Sequence, residues 1–505
     1  MRSANLFDII VARAPRPDQM ALETPDATGL TYAQLFERSA QAANALVALG
    51  VEPGDRVAAQ VDKSTDVIVL ALACLRAGAA LLPLNTAYTL AELEYFLGDA
   101  EPVLTVCRPA SFVAVRGLAH RLGLRAVESL GQARDGTFAE RIAAEPPEFE
   151  TVPRAPDDLA AILYTSGTTG RSKGAMLTHE NLASNALTLV EYWRFTAPDR
   201  LIHALPVFHT HGLFVAVNTA LLAGATMVYQ NRFDADAVIA AMPGATSLMG
   251  VPTFYTRLLD HPGLTREACA GMRLFVSGSA PLLAETHVSW RERTGHAILE
   301  RYGMTETNMI TSNPYDGERR AGTVGFPLPG VSVRIAEAET GAPVPAREIG
   351  VIEVKGPNVF RGYWRLPEKT AQEFRPDGYF ITGDLGRIDS DGYVHIVGRA
   401  KDLVISGGFN VYPKEVEVEI DAIEGVLESA VVGLPHPDFG EGVTAVVVRR
   451  PGAALTETLI LASLEGRLAR FKAPKRVFFV DELPRNSMGK VQKALLRDAY
   501  KDTFC

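Results

Sequence analysis

Residues 164–174, Tyr-Thr-Ser-Gly-Thr-Thr-Gly-Arg-Ser-Lys-Gly, are the segment of this chain best suited to chemistry. They combine Thr and Ser hydroxyls with three glycines and two cations, and they directly follow the apolar residues 159–163. Glycines let backbone N–H groups approach a ligand, hydroxyls add donors, and a lysine adds a point charge. A strand that enters such a loop is typical of a polyphosphate site. On composition alone, a surface loop with a solvated lysine is the alternative.

This loop differs from the Walker A motif of P-loop enzymes. Ser172 occupies the position of the second glycine, and Gly174 stands where the magnesium-binding Ser or Thr should be. A metal ligand must therefore come from elsewhere in the chain, which argues against a P-loop kinase or ATPase.

The loop resembles the phosphate-binding motif of the adenylate-forming (AMP-forming acyl-CoA synthetase) superfamily, which includes firefly-type luciferases and the adenylation domains of peptide synthetases. Further segments match this superfamily in the expected order: 302–306 (Tyr-Gly-Met-Thr-Glu), 382–384 (Thr-Gly-Asp), 398–402 (Gly-Arg-Ala-Lys-Asp), 407–409 (Gly-Gly-Phe) and 484–490 (Pro-Arg-Asn-Ser-Met-Gly-Lys). Together these motifs cover residues 159 to 493, so that chance agreement is negligible.

The resemblance implies a reaction in two halves. A carboxylate attacks the α-phosphorus of ATP to give an acyl-adenylate and pyrophosphate, and the thiolate of coenzyme A then displaces AMP. Chemistry of this kind depends on charge stabilisation and alignment. ATP, Mg²⁺ and coenzyme A are therefore the expected small molecules.

Matching the motifs residue by residue assigns the nucleotide site. The residues expected at ATP are Thr165, Ser166, Gly167, Thr168, Thr169, Lys173, Ser279, Ala280, Pro281, Glu300, Arg301, Tyr302, Asp384 and Arg399. Thr305 would bind the α-phosphate, while Thr165 and Glu306 would hold Mg²⁺, which prefers oxygen ligands. By residue type alone, Glu306 equally suits the first turn of a helix.

Lys490 is the residue expected to catalyse the first half-reaction, together with Thr305, Glu306 and His209. Its charge would bridge the substrate carboxylate and the α-phosphate. A lysine-modifying enzyme acting on Lys490 would switch this step off.

Lys401 matches the superfamily's hinge, where a few residues absorb a rotation between the half-reactions. The residues that the resemblance assigns to coenzyme A are Gly407, Gly408, Phe409 and Lys475.

The acid is expected to bind among residues 208–212, 249–257 and 277–281, which resemble those of bacterial malonyl-CoA synthetases. The predicted acyl-binding residues are His209, Arg257, Ser279 and Met304. Arginine can hold a second carboxylate with two hydrogen bonds, which favours malonate, and methylmalonate as a variant. Helical periodicity alone equally allows Arg257 an exposed position beside an apolar stripe. His209 either gates the path of the thiol or only packs.

Other functions stay open at this level. An acetyl- or medium-chain acyl-CoA synthetase is one alternative, and the discriminating feature is whether Arg257 faces the pocket. A stand-alone adenylation enzyme that loads a carrier protein is another. A luciferase-like oxygenase is disfavoured by the polar acyl pocket, and a non-catalytic binding protein by the presence of Lys173, Glu306 and Lys490.

Composition narrows the class of protein. The 505 residues are 47% apolar and 22% charged with a net charge of −9, which is ordinary for a globular protein and disfavours nucleic-acid partners. The longest apolar stretch, 67–84, is interrupted by Arg76 and Gly78 and predicts a buried helix and strand rather than a membrane span. Four scattered cysteines and a start without a long apolar core lead us to expect a cytoplasmic protein without a signal peptide.

Short β-branched runs alternate with amphipathic helical stretches over the first 400 residues, which predicts an α/β fold of layered, mostly parallel sheets. Strands are expected at 56–61, 79–84, 201–207, 226–229, 247–251 and 274–277. A small β-rich subdomain should follow residue 325, and then a small mobile α+β domain. The expected boundaries are 1–399 for the adenylation domain, 400–402 for the hinge, and 403–505 for the carboxy-terminal domain.

Overall fold

The computed structural model describes residues 3–25, 29–165, 172–407, 409–486 and 489–504. The chain divides into two compact units. The first unit comprises Met1–Ser332 and Lys355–Gly378, and the second comprises Val333–Val354 and Tyr379–Cys505. Residues 333–354 and 379–399 therefore belong to the same compact unit as the carboxy-terminal region. The domain boundaries expected at residues 399 and 403 stay a prediction.

Strands are short and occur along the whole chain. In chain order they are β1 (Met20–Glu23), β2 (Leu30–Thr31), β3 (Arg56–Gln60), β4 (Ala80–Pro83), β5 (Leu104–Cys107), β6 (Ala126–Ser129), β7 (Leu159–Thr165), β8 (Lys173–Thr178), β9 (Arg200–His203), β10 (Thr226–Tyr229), β11 (Ser247–Gly250), β12 (Leu274–Ser277), β13 (Leu299–Met304), β14 (Asn308–Ser312), β15 (Phe326–Pro327), β16 (Ser332–Ala336), β17 (Gly350–Lys355), β18 (Gly362–Tyr363), β19 (Phe380–Ile388), β20 (Val394–Arg399), β21 (Val404–Ser406), β22 (Phe409–Val411), β23 (Val426–His436), β24 (Gly440–Arg449) and β25 (Arg476–Val480).

Helices separate most of these strands. They are α1 (Leu6–Ala12), α2 (Tyr32–Ala48), α3 (Thr65–Ala77), α4 (Leu90–Ala100), α5 (Phe112–Arg121), α6 (Thr137–Ala144), α7 (His179–Tyr192), α8 (Asn218–Ala223), α9 (Ala235–Ala241), α10 (Pro252–Leu259), α11 (Ala284–Thr294), α12 (Pro367–Gln372), α13 (Pro413–Asp421), α14 (Glu457–Leu464) and α15 (Lys493–Tyr500). A π-helical segment, His211–Val217, precedes α8, and 3₁₀ turns occur at Pro109–Ser111, Met242–Gly244 and Ala400–Asp402.

Two large sheets form the first unit. Over the described residues one sheet has the order β15-β14-β13-β12-β11-β9-β10-β1-β2, and the other has the order β18-β8-β7-β4-β3-β5-β6. The central strands of both sheets pair in parallel, while β8, β14 and β18 add antiparallel edges. The expected α/β fold of mostly parallel sheets is confirmed.

The parallel strands β9, β11, β12 and β13 are neighbours in the first sheet. Because parallel strands end at one edge of a sheet, the segments that follow β9, β11 and β12 emerge together with the end of β13. These are the segments that carry the residues predicted to bind the acid and the nucleotide.

The strand predicted at 201–207 ends four residues early, at His203. Pro206 has no N–H to give to a sheet, and its carbonyl oxygen lies only 2.0 Å from where a Cβ on Gly212 would stand. Only glycine permits this approach, so the chain turns into the buried π-helical segment instead of extending β9.

The helix expected inside the stretch 67–84 is α3, and almost every one of its residues is buried. It ends at Gly78, whose φ of 70° is the left-handed conformation that glycine adopts readily. Among the described residues, no helix is both long and apolar enough to cross a membrane.

Over its described residues the second unit contains two sheets, β16-β17-β19-β20 and β22-β21-β24-β23, with β25 pairing to β24. The long hairpin of β23 and β24 has apolar residues on both faces. One face packs with α13 and α14, around Val416, Ile420 and Ile460, and the other packs with α15 around Leu496.

Candidate active site

The two ends of the predicted phosphate loop face each other across an antiparallel pair. Thr165 ends β7 and Lys173 begins β8, and the two residues are cross-strand partners. Ser166, Gly167, Thr168 and Thr169 lie outside the described residues. The observed strands therefore fix where the loop leaves and re-enters the sheet.

Helix α4 anchors the flanks of this loop. The Tyr95 hydroxyl donates to the Ser172 carbonyl oxygen at 2.6 Å, and the Tyr164 hydroxyl donates to Asp99 in a short hydrogen bond. Burial, followed by the carboxylate of Asp99, raises the pKa of Tyr164 above its ordinary value. Sequence reasoning missed Tyr95 and Asp99, because nothing in their local pattern distinguishes them from an ordinary helix.

Glu306 is buried close to the loop. Its Oε1 accepts hydrogen bonds from the Tyr363 hydroxyl at 3.0 Å and the Thr165 hydroxyl at 3.4 Å. The face of the Tyr363 ring lies 4.1 Å from the Nζ of Lys173. A carboxylate beside a hydroxyl provides oxygen donors that suit a hard cation such as Mg²⁺, whose further ligands would be phosphates and water. Thr305 is half-buried and directly precedes Glu306.

The turn after β12 carries Ser279, Ala280 and Pro281. Ser279 has φ of 72°, which is rare outside glycine, and its hydroxyl lies 3.2 Å from Nδ1 of His211. Glu300, on β13, accepts a hydrogen bond from the backbone N–H of Leu282 at 3.2 Å. This bond ties the end of the turn to the strand that leads into Arg301 and Tyr302.

Two histidines lie in the segment after β9. His211 is buried, and its backbone N–H donates to Nδ1 of the half-buried His209 at 3.2 Å. Burial, and then the charge of Arg301, lower the pKa of His209 to about 4 and that of His211 well below its ordinary value. Both imidazoles are therefore neutral at pH 7 and act there as hydrogen-bonding groups rather than as cations.

Arg301 is a buried cation of the first unit. Its side chain is buried, with 3% exposure, and Nε and Nη2 have no hydrogen-bond partner among the described residues. The guanidinium lies against the backbone of Gly278, where a Cβ would come within 2.4 Å of Cζ. Burial lowers the pKa of Arg301 to about 9. A buried guanidinium without an anion is costly, so this position is suited to an anionic ligand. A phosphate of ATP, as the sequence predicts, and a substrate carboxylate both fit, and the ATP assignment of Arg301 stays a prediction.

Arg257 differs from Arg301 in its exposure to solvent. It is an exposed residue of α10, whose buried face is formed by Phe254, Tyr255 and Leu258. This is the alternative that periodicity left open, and binding of the acid by Arg257 stays a prediction. Met304 is half-buried at the end of β13.

The predicted ribose pair is present in the second unit. Nε of Arg399 lies 2.8 Å from Oδ1 of Asp384, and the two residues are cross-strand partners on β19 and β20. The Asp384 backbone N–H donates to the Thr382 hydroxyl at 3.1 Å. This arrangement orients the carboxylate, which could accept hydrogen bonds from a diol.

Lys490 sits on a loop with several internal hydrogen bonds. Its backbone N–H donates to Oδ1 of Asn486 at 3.0 Å, and Arg485 donates from Nη1 to the Gly489 carbonyl at 2.6 Å while it pairs with Glu428. Lys490 retains exposed surface. Desolvation of the ammonium by the surrounding chain, and then the charge of Arg399, lower the pKa of Lys490 to about 8. The neighbouring residues 487–488 are outside the described part.

The segment predicted to bind coenzyme A is exposed on the second unit. Phe409 is 56% exposed and stacks on Phe471, with 4.8 Å between ring centroids, while Gly407 has φ of 60°. Lys475 lies 5.1 Å from the ring of Phe439. Gly408 is outside the described residues, and Lys401 is exposed in the 3₁₀ turn Ala400–Asp402. Roles for these residues stay predictions.

Solved structures similar to this chain include that of ATP-bound MatB from Rhodopseudomonas palustris, which is 60% identical with a TM-score of 0.98, each chain being covered completely. Among curated relatives, a feruloyl-CoA synthase from an Amycolatopsis species is 38% identical over 99% of this chain and 100% of its own length. A malonate–CoA ligase from Arabidopsis thaliana is 34% identical over 89% of this chain and 78% of its own.

Family models match most of the sequence. The model of the AMP-binding enzymes matches residues 11–364, and the model of the AMP-binding enzyme C-terminal domain matches residues 415–490. The first match contains the phosphate loop, Arg301 and Glu306, and the second contains Lys490. This chain belongs to the AMP-binding enzyme family.

Proposed function

We propose that this protein is an ATP-dependent ligase that joins malonate to coenzyme A through a malonyl-adenylate, with release of AMP and pyrophosphate. The observation that carries the choice of acid is the buried guanidinium of Arg301, which lacks a carboxylate among its described neighbours. Activation uses one carboxylate of malonate and leaves the other free to pair with Arg301. Likeness to MatB and to malonate–CoA ligases from Arabidopsis and mouse supports the proposal.

The curated relatives differ in the acid that they are named for: the feruloyl-CoA synthase is 38% identical to this chain, and the Arabidopsis malonate–CoA ligase is 34% identical. Ferulate would bring an aromatic ring towards Arg301 and leave its charge buried and unpaired. Removing one partner of a buried ion pair, here the second carboxylate of the acid, costs about 3–5 kcal/mol. Acetate and medium-chain acids would incur the same cost, so the charge on Arg301 favours a dicarboxylate over each alternative.

Ser279 and the two histidines would complete the recognition of malonate. Neutral His211 and Ser279 already contact each other, and together they offer donors beside the guanidinium. Methylmalonate, which is malonate with a methyl group at carbon 2, remains a second proposed substrate. Malonate binding by Arg257 and Met304, and gating of the thiol by His209, remain predicted roles.

In the first half-reaction, Lys173 and the loop hydroxyls would hold the β- and γ-phosphates, while Tyr302, Asp384 and Arg399 would hold the nucleoside. Glu306 and Thr165 would bind Mg²⁺, which neutralises phosphate charge when bound. Lys490 would stabilise the charge that develops between the carboxylate and the α-phosphate, with Thr305 at the same phosphate.

In the second half-reaction, the thiolate of coenzyme A would displace AMP. Gly407, Phe409 and Lys475 are the described residues that we assign to coenzyme A, and the turn containing Lys401 is our proposed hinge. The exposure of Lys490 supports its modification by a partner enzyme. Free, buried Cys74, Cys107 and Cys269 support a reducing cytoplasm as the location.

Replacement of Arg301 tests the choice of acid. Arg301→Met should lower kcat/KM for malonate about 10²- to 10³-fold, because one partner of a buried charge pair is lost. Activity on acetate or octanoate should be kept or rise. The measurement is pyrophosphate release across acetate, malonate, methylmalonate, succinate, octanoate and ferulate. Unchanged malonate kinetics would show that Arg301 does not bind the acid. Thermal melting of the Arg301→Met protein checks that the variant is folded.

Arg257→Ala is the matched comparison in the same assay. The sequence-based prediction expects a loss of malonate turnover similar to that of Arg301→Met. The exposed position of Arg257 instead favours a change within about twofold, typical of a surface charge. A large, malonate-specific loss would restore Arg257 to the pocket.

Replacement of Lys490 should separate the two half-reactions. Lys490→Ala should abolish malonyl-adenylate formation, measured by ATP–pyrophosphate exchange, because the charge that stabilises the transition state is missing. Thiolysis of supplied malonyl-adenylate should persist within a few-fold. Equal loss in both assays would contradict the role assigned to Lys490.

The pH dependence of the first half-reaction should follow the same ammonium. Lys490 is charged below its pKa of about 8, so kcat/KM for adenylate formation should be level near pH 7 and fall as the pH rises above 8. His209 and His211 are already neutral in this range and do not contribute. In Lys490→Arg the fall should move to higher pH, because arginine stays charged. A fall at unchanged pH would assign the titration to another group.

A further inference from the structure

The ammonium of Lys173 already has an anionic neighbour within the protein. Its Nζ lies 3.6 Å from Oε1 of Glu373, and the side chain of Lys173 is only 12% exposed. A cation so withdrawn from water requires compensation. The carboxylate of Glu373 and the face of the Tyr363 ring, both in the first unit, compensate the charge of Lys173.

Glu373 is held more closely by a second cation. Lys369 lies one helical turn before Glu373, at the end of α12, and its Nζ is 2.7 Å from the same Oε1. Charge-assisted hydrogen bonds are typically about 2.7–2.9 Å long, so the contact to Lys369 is a full hydrogen bond and the contact to Lys173 is a looser ion pair. Glu373 would therefore keep a partner if Lys173 moved away.

We propose that Glu373 is the built-in counterion of Lys173, which the β- and γ-phosphates of ATP displace. The inference rests on the assignment of Lys173 to ATP in the proposed function. Before the nucleotide binds, Glu373 neutralises the largely enclosed ammonium of Lys173. When the phosphates arrive, Lys173 exchanges a loose carboxylate contact for the phosphate oxygens, while Lys369 retains Glu373.

This exchange predicts a carboxylate that weakens ATP binding. Glu373 competes for Lys173 and also repels the phosphates as a like charge. AMP lacks the β- and γ-phosphates, so its binding should not depend on Glu373. Glu373 thus lowers the preference of the free enzyme's site for ATP over AMP, and its removal should raise that preference.

Glu373→Gln removes the charge while preserving the shape of the side chain. Isothermal titration of the Mg²⁺ complex of α,β-methylene-ATP should give a Kd about two- to fivefold lower than for the unsubstituted protein, the range expected for a partly exposed ion pair. The Kd of AMP should be unchanged. Weaker or equal binding of the analogue would overturn the proposal, because Glu373 would then orient Lys173 for the phosphates or be irrelevant to them.

Glu368→Gln is the matched control, because Glu368 is an exposed carboxylate on the same short helix. It should leave both Kd values unchanged. An equal gain in affinity from this control would show a general effect of net charge and overturn the counterion role.

Lys173→Met tests the underlying assignment separately. It should weaken binding of the analogue but not of AMP. If it fails to do so, Lys173 does not contact the phosphates, and the ATP assignment fails together with this inference. A normal result for Lys173→Met with no gain in Glu373→Gln would refute the counterion alone.

Discussion

A guanidinium that is removed from water requires an anion, and this requirement links the fold of the first unit to its proposed substrate. Arg301 is carried on β13, inside a sheet whose neighbouring strands end at the same edge. Gly278 leaves room for the guanidinium, because any larger residue would collide with Cζ. The backbone therefore directs a positive charge into a space that the described protein residues do not neutralise. A ligand carboxylate would supply the missing charge, and only an acid with a second carboxylate retains one after activation.

Neutral groups around Arg301 would maintain the proposed selectivity for a dicarboxylate. Histidines could have added further positive charge, but burial and Arg301 itself keep His209 and His211 neutral by lowering their pKa values. Among these three described side chains, Arg301 is therefore the cation, and the two imidazoles are hydrogen-bonding groups. A single charge suits one carboxylate, whereas several cations would favour more highly charged anions.

Much of this organisation could be predicted from the sequence because it is local. The α/β alternation, the strands β10 and β12, and the Asp384–Arg399 pairing depend on periodicity or on short motifs. The orientation of Arg301 could not be predicted, because it depends on contact with Gly278, twenty-three residues earlier in the chain. For the same reason Tyr95, Asp99 and Glu373 had no sequence signal, since each meets the phosphate loop only through tertiary packing. Arg257, by contrast, suited a carboxylate by residue type, and its exposure depends on which face of α10 is buried.

Lys173 and Arg301 illustrate two ways of keeping a binding cation partly or fully buried. Lys173 has an internal carboxylate, so a nucleotide that binds there would have to compete for it. The stabilisation on binding would then be the difference between two ion pairs. Arg301 has no such carboxylate among the described residues, so an acid would complete the charge balance rather than exchange one partner for another. An exchange makes binding moderate and reversible, which suits a polyphosphate present for one step. Completion of a missing pair makes discrimination steep, because every acid without the second carboxylate leaves the buried charge unpaired.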